Sequence, residues 1–177
     1  MEILHTSIQG IYRDILQGKA HTIIYDSGWH SNLIVDRCRY LLAAFMKNDT
    51  ATGIQWLAVG KGIQSWDNQA PAYPLPIDYQ LTDPDFATIE IDPARIEYLN
   101  ADGDPTTDPT HRIQVTITLD PGVPALEAGA TTYPLREFGL FGTFGAGNEE
   151  YMIDYVRHPV IHKGAEDTLV RTIRLIF

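Results

Sequence analysis

Apolar and polar positions alternate with a period of two through most of this chain, and the period lengthens to that of a helix in only one place. Ile113, Val115, Ile117 and Leu119 alternate with Gln114, Thr116 and Thr118, which predicts an amphipathic strand with one buried face. Leu169, Arg171, Ile173, Leu175 and Phe177 line one face of a last strand in the same way. Shorter apolar runs at 21–25, 54–59, 87–91, 95–99, 135–141 and 151–156 bring the expected count to about eight strands. Between them stand turn clusters such as Asp26-Ser27-Gly28, the Asp- and Pro-rich stretch 100–109, and Asp120-Pro121-Gly122. Residues 158–164 read as a loop that returns the chain to the last strand.

The helical exception is residues 31–47. Leu33, Ile34, Cys38, Leu41, Leu42, Phe45 and Met46 form one stripe at spacings near 3.6, Ser31 or Asn32 is placed to cap it, and Lys47 suits its negative end. The first twenty residues have no clean period. Ile8, Tyr12, Ile15 and Leu16 fit a short helical face or a pair of strands, and residues 1–25 could serve as an N-terminal arm or assembly segment. The expected architecture is one β-rich domain over 1–177: an antiparallel, sandwich-like β fold with one amphipathic helix packed on the sheet.

Composition narrows the function. At 177 residues, 44% apolar and 20% charged, the chain can bury one good core. Its net charge of −10, with the acidic residues scattered, disfavours a phosphate backbone, so no nucleic-acid partner is expected. The longest apolar run, near Tyr40–Met46, is far too short for a bilayer span, and Met1-Glu2-Ile3 lacks the basic start of a signal peptide, so synthesis in the cytoplasm is expected. Cys38 is the only cysteine, which excludes an intrachain disulfide and points to a small core residue.

The candidate chemistry is sparse. Gly60-Lys61-Gly62 follows a strand, but a Trp- and Pro-rich loop comes after it where a phosphate loop needs a helix, so a turn is expected. Asp102, Asp104 and Asp108 have the alternating oxygens of a cation loop, yet position 12 is Ile113 where a calcium loop carries a bidentate Glu; they are weak metal candidates beside a hairpin turn. His158 and His162 are four apart, with Pro159 breaking any zinc-binding helix. Ser27 near His30 lacks a nucleophile elbow. No cofactor motif is present. Trp66, Tyr73 and Tyr79 with Asp67 fall in one long loop, where aromatics beside a carboxylate could stack a sugar; the favoured reading is that Trp56 is core while Trp66 and Tyr73 pin the loop or contact a neighbouring subunit. In YPLREFGLFGTFG (133–145), Phe138, Leu140 and Phe141 suit a packed strand, Gly139 and Gly142 leave room for a neighbouring backbone or a bulge, and Arg136 with Glu137 is expected as a pair at the strand's rim.

Two stretches together resemble a known group. Gly28–Gly62, GWHSNLIVDRCRYLLAAFMKNDTATGIQWLAVGKG, is similar to bacteriophage tail and tail-fibre-associated proteins, in which N-L-I-x-D leads into an amphipathic helix and a strand ends in A-x-G-x-G. Arg136-Glu137-Phe138-Gly139-Leu140-Phe141, then a strand, then Asp167-Thr168-Leu169 and a last strand to Phe177, resembles the same group. The resemblance covers about half the chain and leaves the middle unmatched. It implies a non-enzymatic structural component of a phage tail or of a phage-tail-like contractile injection particle: an adaptor, cap, baseplate-associated or fibre-attachment protein. Such a component would form a homo-oligomer, a trimer or ring, and bind other tail or baseplate proteins. The alternative is a carbohydrate- or receptor-binding module of a tail fibre using Trp66, Tyr73, Tyr79 and Asp67.

Overall fold

The computed structural model describes residues 8–177. Eleven strands and one α-helix follow in the order β1 (Gln9–Gln17), β2 (Ile23–Asp26), β3 (His30–Ile34), α1 (Asp36–Lys47), β4 (Trp56–Gly60), β5 (Ala87–Glu90), β6 (Ile96–Leu99), β7 (Pro105–Thr106), β8 (Arg112–Leu119), β9 (Thr132–Phe144), β10 (Glu149–Gly164) and β11 (Thr168–Ile176). All belong to one open antiparallel sheet, ordered β5-β4-β9-β10-β3-β1-β11-β8-β6-β7, with β2 beside β1. The main core is shared by both halves of that sheet: Leu57, Phe138 and Leu140 from one meet Tyr12, Val115 and Ile173 from the other.

The count exceeds the expected eight by β1, β3 and β7, and each has a physical reason. In β1 the inward positions are Gly10, Tyr12, Asp14 and Leu16, so a charge and a glycine break the apolar alternation. In β3, Ser31 and Asn32 look like helix caps, but Asn32 is buried and its amide donates to the Asp154 carboxylate at 2.7 Å. The helix therefore begins at Asp36, with Val35 at its N-cap, and not at residue 31. β7 is two residues long within an exposed turn. The stretch 158–164, expected as a loop, continues β10, which holds its ladder to β9 across irregularities at Met152/Asp154 and Arg157/Ile161. Of residues 1–25, the first seven lie outside the described residues, and Gln9–Gln17 is a strand paired with β11 on one edge and with β3 and then β2 along the other.

The centre of the sheet is buried on both sides. Phe141, Met152 and Tyr155 pack with Val35, Ala58 and Leu81 in a second, smaller core on the other side of β9 and β10. Helix α1 contacts the same two strands, and its Cys38 and Leu41 join the main core, where Cys38 is a small apolar group whose thiol is pushed up to about 12 by burial. The glycines of β9 serve close approach. A Cβ at Gly139 would stand 2.8 Å from the Asp154 carbonyl, and one at Gly142 2.5 Å from the Gly53 carbonyl.

Candidate functional site

Residues 61–86 leave β4 and return to β5 as one long connection, and β9 holds both of its ends. Arg136 makes two 2.7 Å bonds to the Asp67 carboxylate and donates to the Lys61 carbonyl at 2.8 Å. Glu137, fully buried, accepts from the amides of Thr82 at 3.0 Å and Asp83 at 2.7 Å, and from the Tyr155 hydroxyl at 2.5 Å. Arg136 and Glu137 are thus two separate buried anchors for the loop rather than a pair at the strand's rim. The reason lies in charge burial: each reaches a partner supplied by the loop, which lowers the cost of removing it from water. Burial, together with the Glu137 carboxylate, raises the Tyr155 hydroxyl to about 12, which keeps it a donor. Gly60 leaves the space that Glu137 uses, since a Cβ there would stand 2.7 Å from its Oε1.

The four sugar-stacking candidates lie in this loop but not in one place. Trp66 is half-buried under the Arg157 guanidinium, 5.5 Å from its ring centre. Asp67 is engaged by Arg136 and lines a shallow depression with Lys61, Thr132 and His162. Tyr73 and Tyr79 are exposed, and Tyr79 lines a different cavity of about 370 Å³ with Asp36, Arg37, Tyr40, Ile77 and Tyr151. Inside that cavity the Arg37 guanidinium stands between two rings, 5.0 Å from the centre of Tyr79 and 4.9 Å from that of Tyr151. Its one hydrogen bond among the described residues goes to the Glu150 carbonyl at 3.2 Å. Sequence reasoning missed Arg37 as a site residue, because its partners come from elements over 40 and 110 positions away.

Asp102, Asp104 and Asp108 sit in the exposed turn between β6 and β8, where Asn100 Oδ1 accepts from the amides of Asp102 at 2.9 Å and Asp104 at 3.0 Å. Among the described residues no group of three His, Cys, Asp or Glu side chains is arranged to hold a metal ion. His158 is buried and bonded through Nδ1 to the Pro159 carbonyl, whereas His162 is exposed beside Thr132.

The remaining buried charges bind the halves of the sheet together. Arg171 of β11 makes two 2.7 Å bonds to Asp14 of β1 and lies 3.6 Å from the ring centre of Phe138, and its Nη2 is 3.2 Å from His158 Nε2. Burial, reinforced by the Arg171 charge, lowers His158 to about 4, so the imidazole is neutral at neutral pH. Asp154 accepts from the Leu140 amide and from Asn32, yet burial outweighs both bonds and raises it to about 6. At the far end of the fold, a cavity of about 400 Å³ opens between α1 and the ends of β8 and β11, lined by apolar groups such as Leu41, Phe45, Ile113 and Phe177.

Large apolar side chains stand in solvent on three elements: Ile23, Ile24 and Tyr25 on β2, Tyr40 and Met46 on α1, and Tyr73, Leu75 and Ile77 in the long loop, with Tyr40 and Ile77 lining the Arg37 cavity. Comparison with protein-family models, with curated proteins and with solved structures finds no match for this chain.

Proposed function

We propose that this chain is a non-enzymatic assembly component of a phage tail or of a phage-tail-like contractile injection particle. The observation that carries the reading is the apolar surface. Ile23 and Ile24 are 60% and 57% exposed, and Met46 and Ile77 reach 86% and 74%. Such groups cluster where a partner covers them. The resemblance of Gly28–Gly62 and of 136–177 to tail proteins supplies the kind of partner. The buried ionic groups Asp14, Arg171, Glu137 and Asp154 are engaged by this chain's own strands and loop, which suits a scaffold. The test is affinity capture of the full chain from cells that encode it. Tail-tube, sheath or baseplate proteins should co-purify in fixed ratio; a chain recovered alone, from cells producing intact particles, would contradict the reading.

A second reading, carbohydrate recognition, is favoured by the Arg37 cavity. Tyr79 and Tyr40 offer ring faces for the apolar face of a sugar, Arg37 offers donors, and Asp36 offers an acceptor for hydroxyls. A glycan array separates the two. Binding that disappears with Tyr79→Ala and with Arg37→Ala favours recognition, and silence across the array removes it.

A further inference from the structure

The sheet is open, and two unpaired stretches of edge, one on β5 and one on β8 beyond its pairing with β6, face one slot. β5 pairs with β4 on one side only. The Ile91 amide donates to the Gln55 carbonyl, which sets the alternation of that ladder: Ile91, Ile89 and Ala87 point their backbone groups at β4, and Thr88 and Glu90 point theirs outward. On β8, the Phe177 amide bonded to the His111 carbonyl sets the alternation toward β11, so the even-numbered residues face away from it. β6 covers that outer edge no further than the Ile96–Val115 pair and then leaves through the turn Pro93–Arg95. Thr118 therefore keeps an amide and a carbonyl without a strand partner among the described residues. A slot of about 270 Å³ lies between these edges, lined by Ile89 and Glu90 of β5 and by Thr116, Ile117 and Thr118 of β8.

We infer that this slot receives one extended segment of a partner protein, added as a strand along β5 and β8. Each wall supplies unpaired main-chain donors and acceptors, the chemistry that strand addition uses for affinity. Alternate side chains set the character of the guest. Ile91 and Ile117 are buried at the floor, and Ile89 is half-buried against the core, so every second residue of the guest is apolar. The rim carries three carboxylates, Glu90, Asp92 and Asp120, against one guanidinium, Arg95, so the intervening residues are cationic. Counted through the antiparallel ladder, β5 and β8 run in opposite directions. The guest thus runs antiparallel to one wall and parallel to the other.

The probe is an N-acetylated octapeptide of alternating valine and lysine, offered to the full chain labelled for amide NMR. Its twin carries N-methyl groups on alternate residues, which keeps charge and side chains but removes the donors toward one wall. The expected result is that saturating peptide slows hydrogen exchange at Thr88, Glu90 and Thr118 at least tenfold, and that the twin binds at least tenfold more weakly. Glu90→Lys, at an exposed position, should leave the melting temperature unchanged and weaken the peptide at least threefold. Equal binding of both peptides would reduce the slot to a charge effect and overturn the inference. No binding at millimolar peptide, or protection confined to other strands, would overturn it as well.

Discussion

The middle of the sheet and its periphery invert the usual distribution of polarity. Inside, between β1, β9, β10 and β11, lie Asp14, Arg171, His158, Glu137 and Asp154, all buried and nearly all engaged. Outside, on β2, α1 and the long loop, lie isoleucines, tyrosines and a methionine with more than half of their surface in water. Neither arrangement is what burial of apolar area alone would select. The interior charges tie elements distant in sequence, since Asp14 and Arg171 are 157 positions apart, and they commit the sheet to one register because a mismatched pairing would leave a buried ion alone. The exterior apolar groups contribute little to the isolated fold. The contrast teaches that interior polarity here fixes shape, while exterior apolarity is available for contact.

The largest effect is expected from breaking the deepest pair. Asp14→Ala leaves the Arg171 guanidinium buried without its carboxylate and should cost about 3–5 kcal/mol, read as a shifted midpoint in urea unfolding. Asp14→Leu with Arg171→Met should recover most of that loss. If the double variant is as unstable as the single one, the pair is not what the interior needs. Next comes the loop anchor. Glu137→Ala strands the Thr82 and Asp83 amides and should cost about 2–4 kcal/mol. Limited proteolysis should then cut first within 61–86, and first cleavage elsewhere would refute the anchoring role.

Acidity sharpens the interior further, because two buried groups oppose each other. Asp154, raised to about 6 from 3.8, binds a proton more tightly folded than unfolded, so its contribution grows as pH falls from above 6 toward 4. His158, lowered to about 4 from 6.5, is held neutral in the fold, so its contribution is lost over the same descent. Each is worth roughly 3 kcal/mol by the size of its shift, and the wild type should change little between pH 6 and 4. His158→Gln should become more stable on acidification in that window, and Asp154→Asn less stable. The same slope in both variants would remove the account. The smallest effect on folding belongs to the periphery. Ile24→Lys and Ile77→Lys should each move unfolding by about 0.5 kcal/mol or less, measured by the same denaturation.

The sequence made the outer architecture readable where alternation was clean. β8 and β11 alternate so regularly that their pairing face is evident, although Arg171 on the buried face of β11 shows that a charge at a core position need not break a strand. β1 and β3 were hidden by the same chemistry that makes them interesting. Asp14 and Asn32 are polar at inward positions because their partners, Arg171 and Asp154, arrive from the other end of the chain. Trp66 and Asp67 stood out by type, yet nothing local shows that Arg157 and Arg136 engage them. Arg37 looked like an ordinary surface residue of a helix, and only the fold brings Tyr79 and Tyr151 to it.

The most direct test of the central claim is the mass of the purified full chain by light scattering at micromolar concentration. The account predicts a defined assembly of three or more chains, dispersed to single chains by Ile24→Lys combined with Ile77→Lys while the fold persists. A wild-type chain that is monomeric and stays soluble, with its apolar surfaces bare, would contradict it.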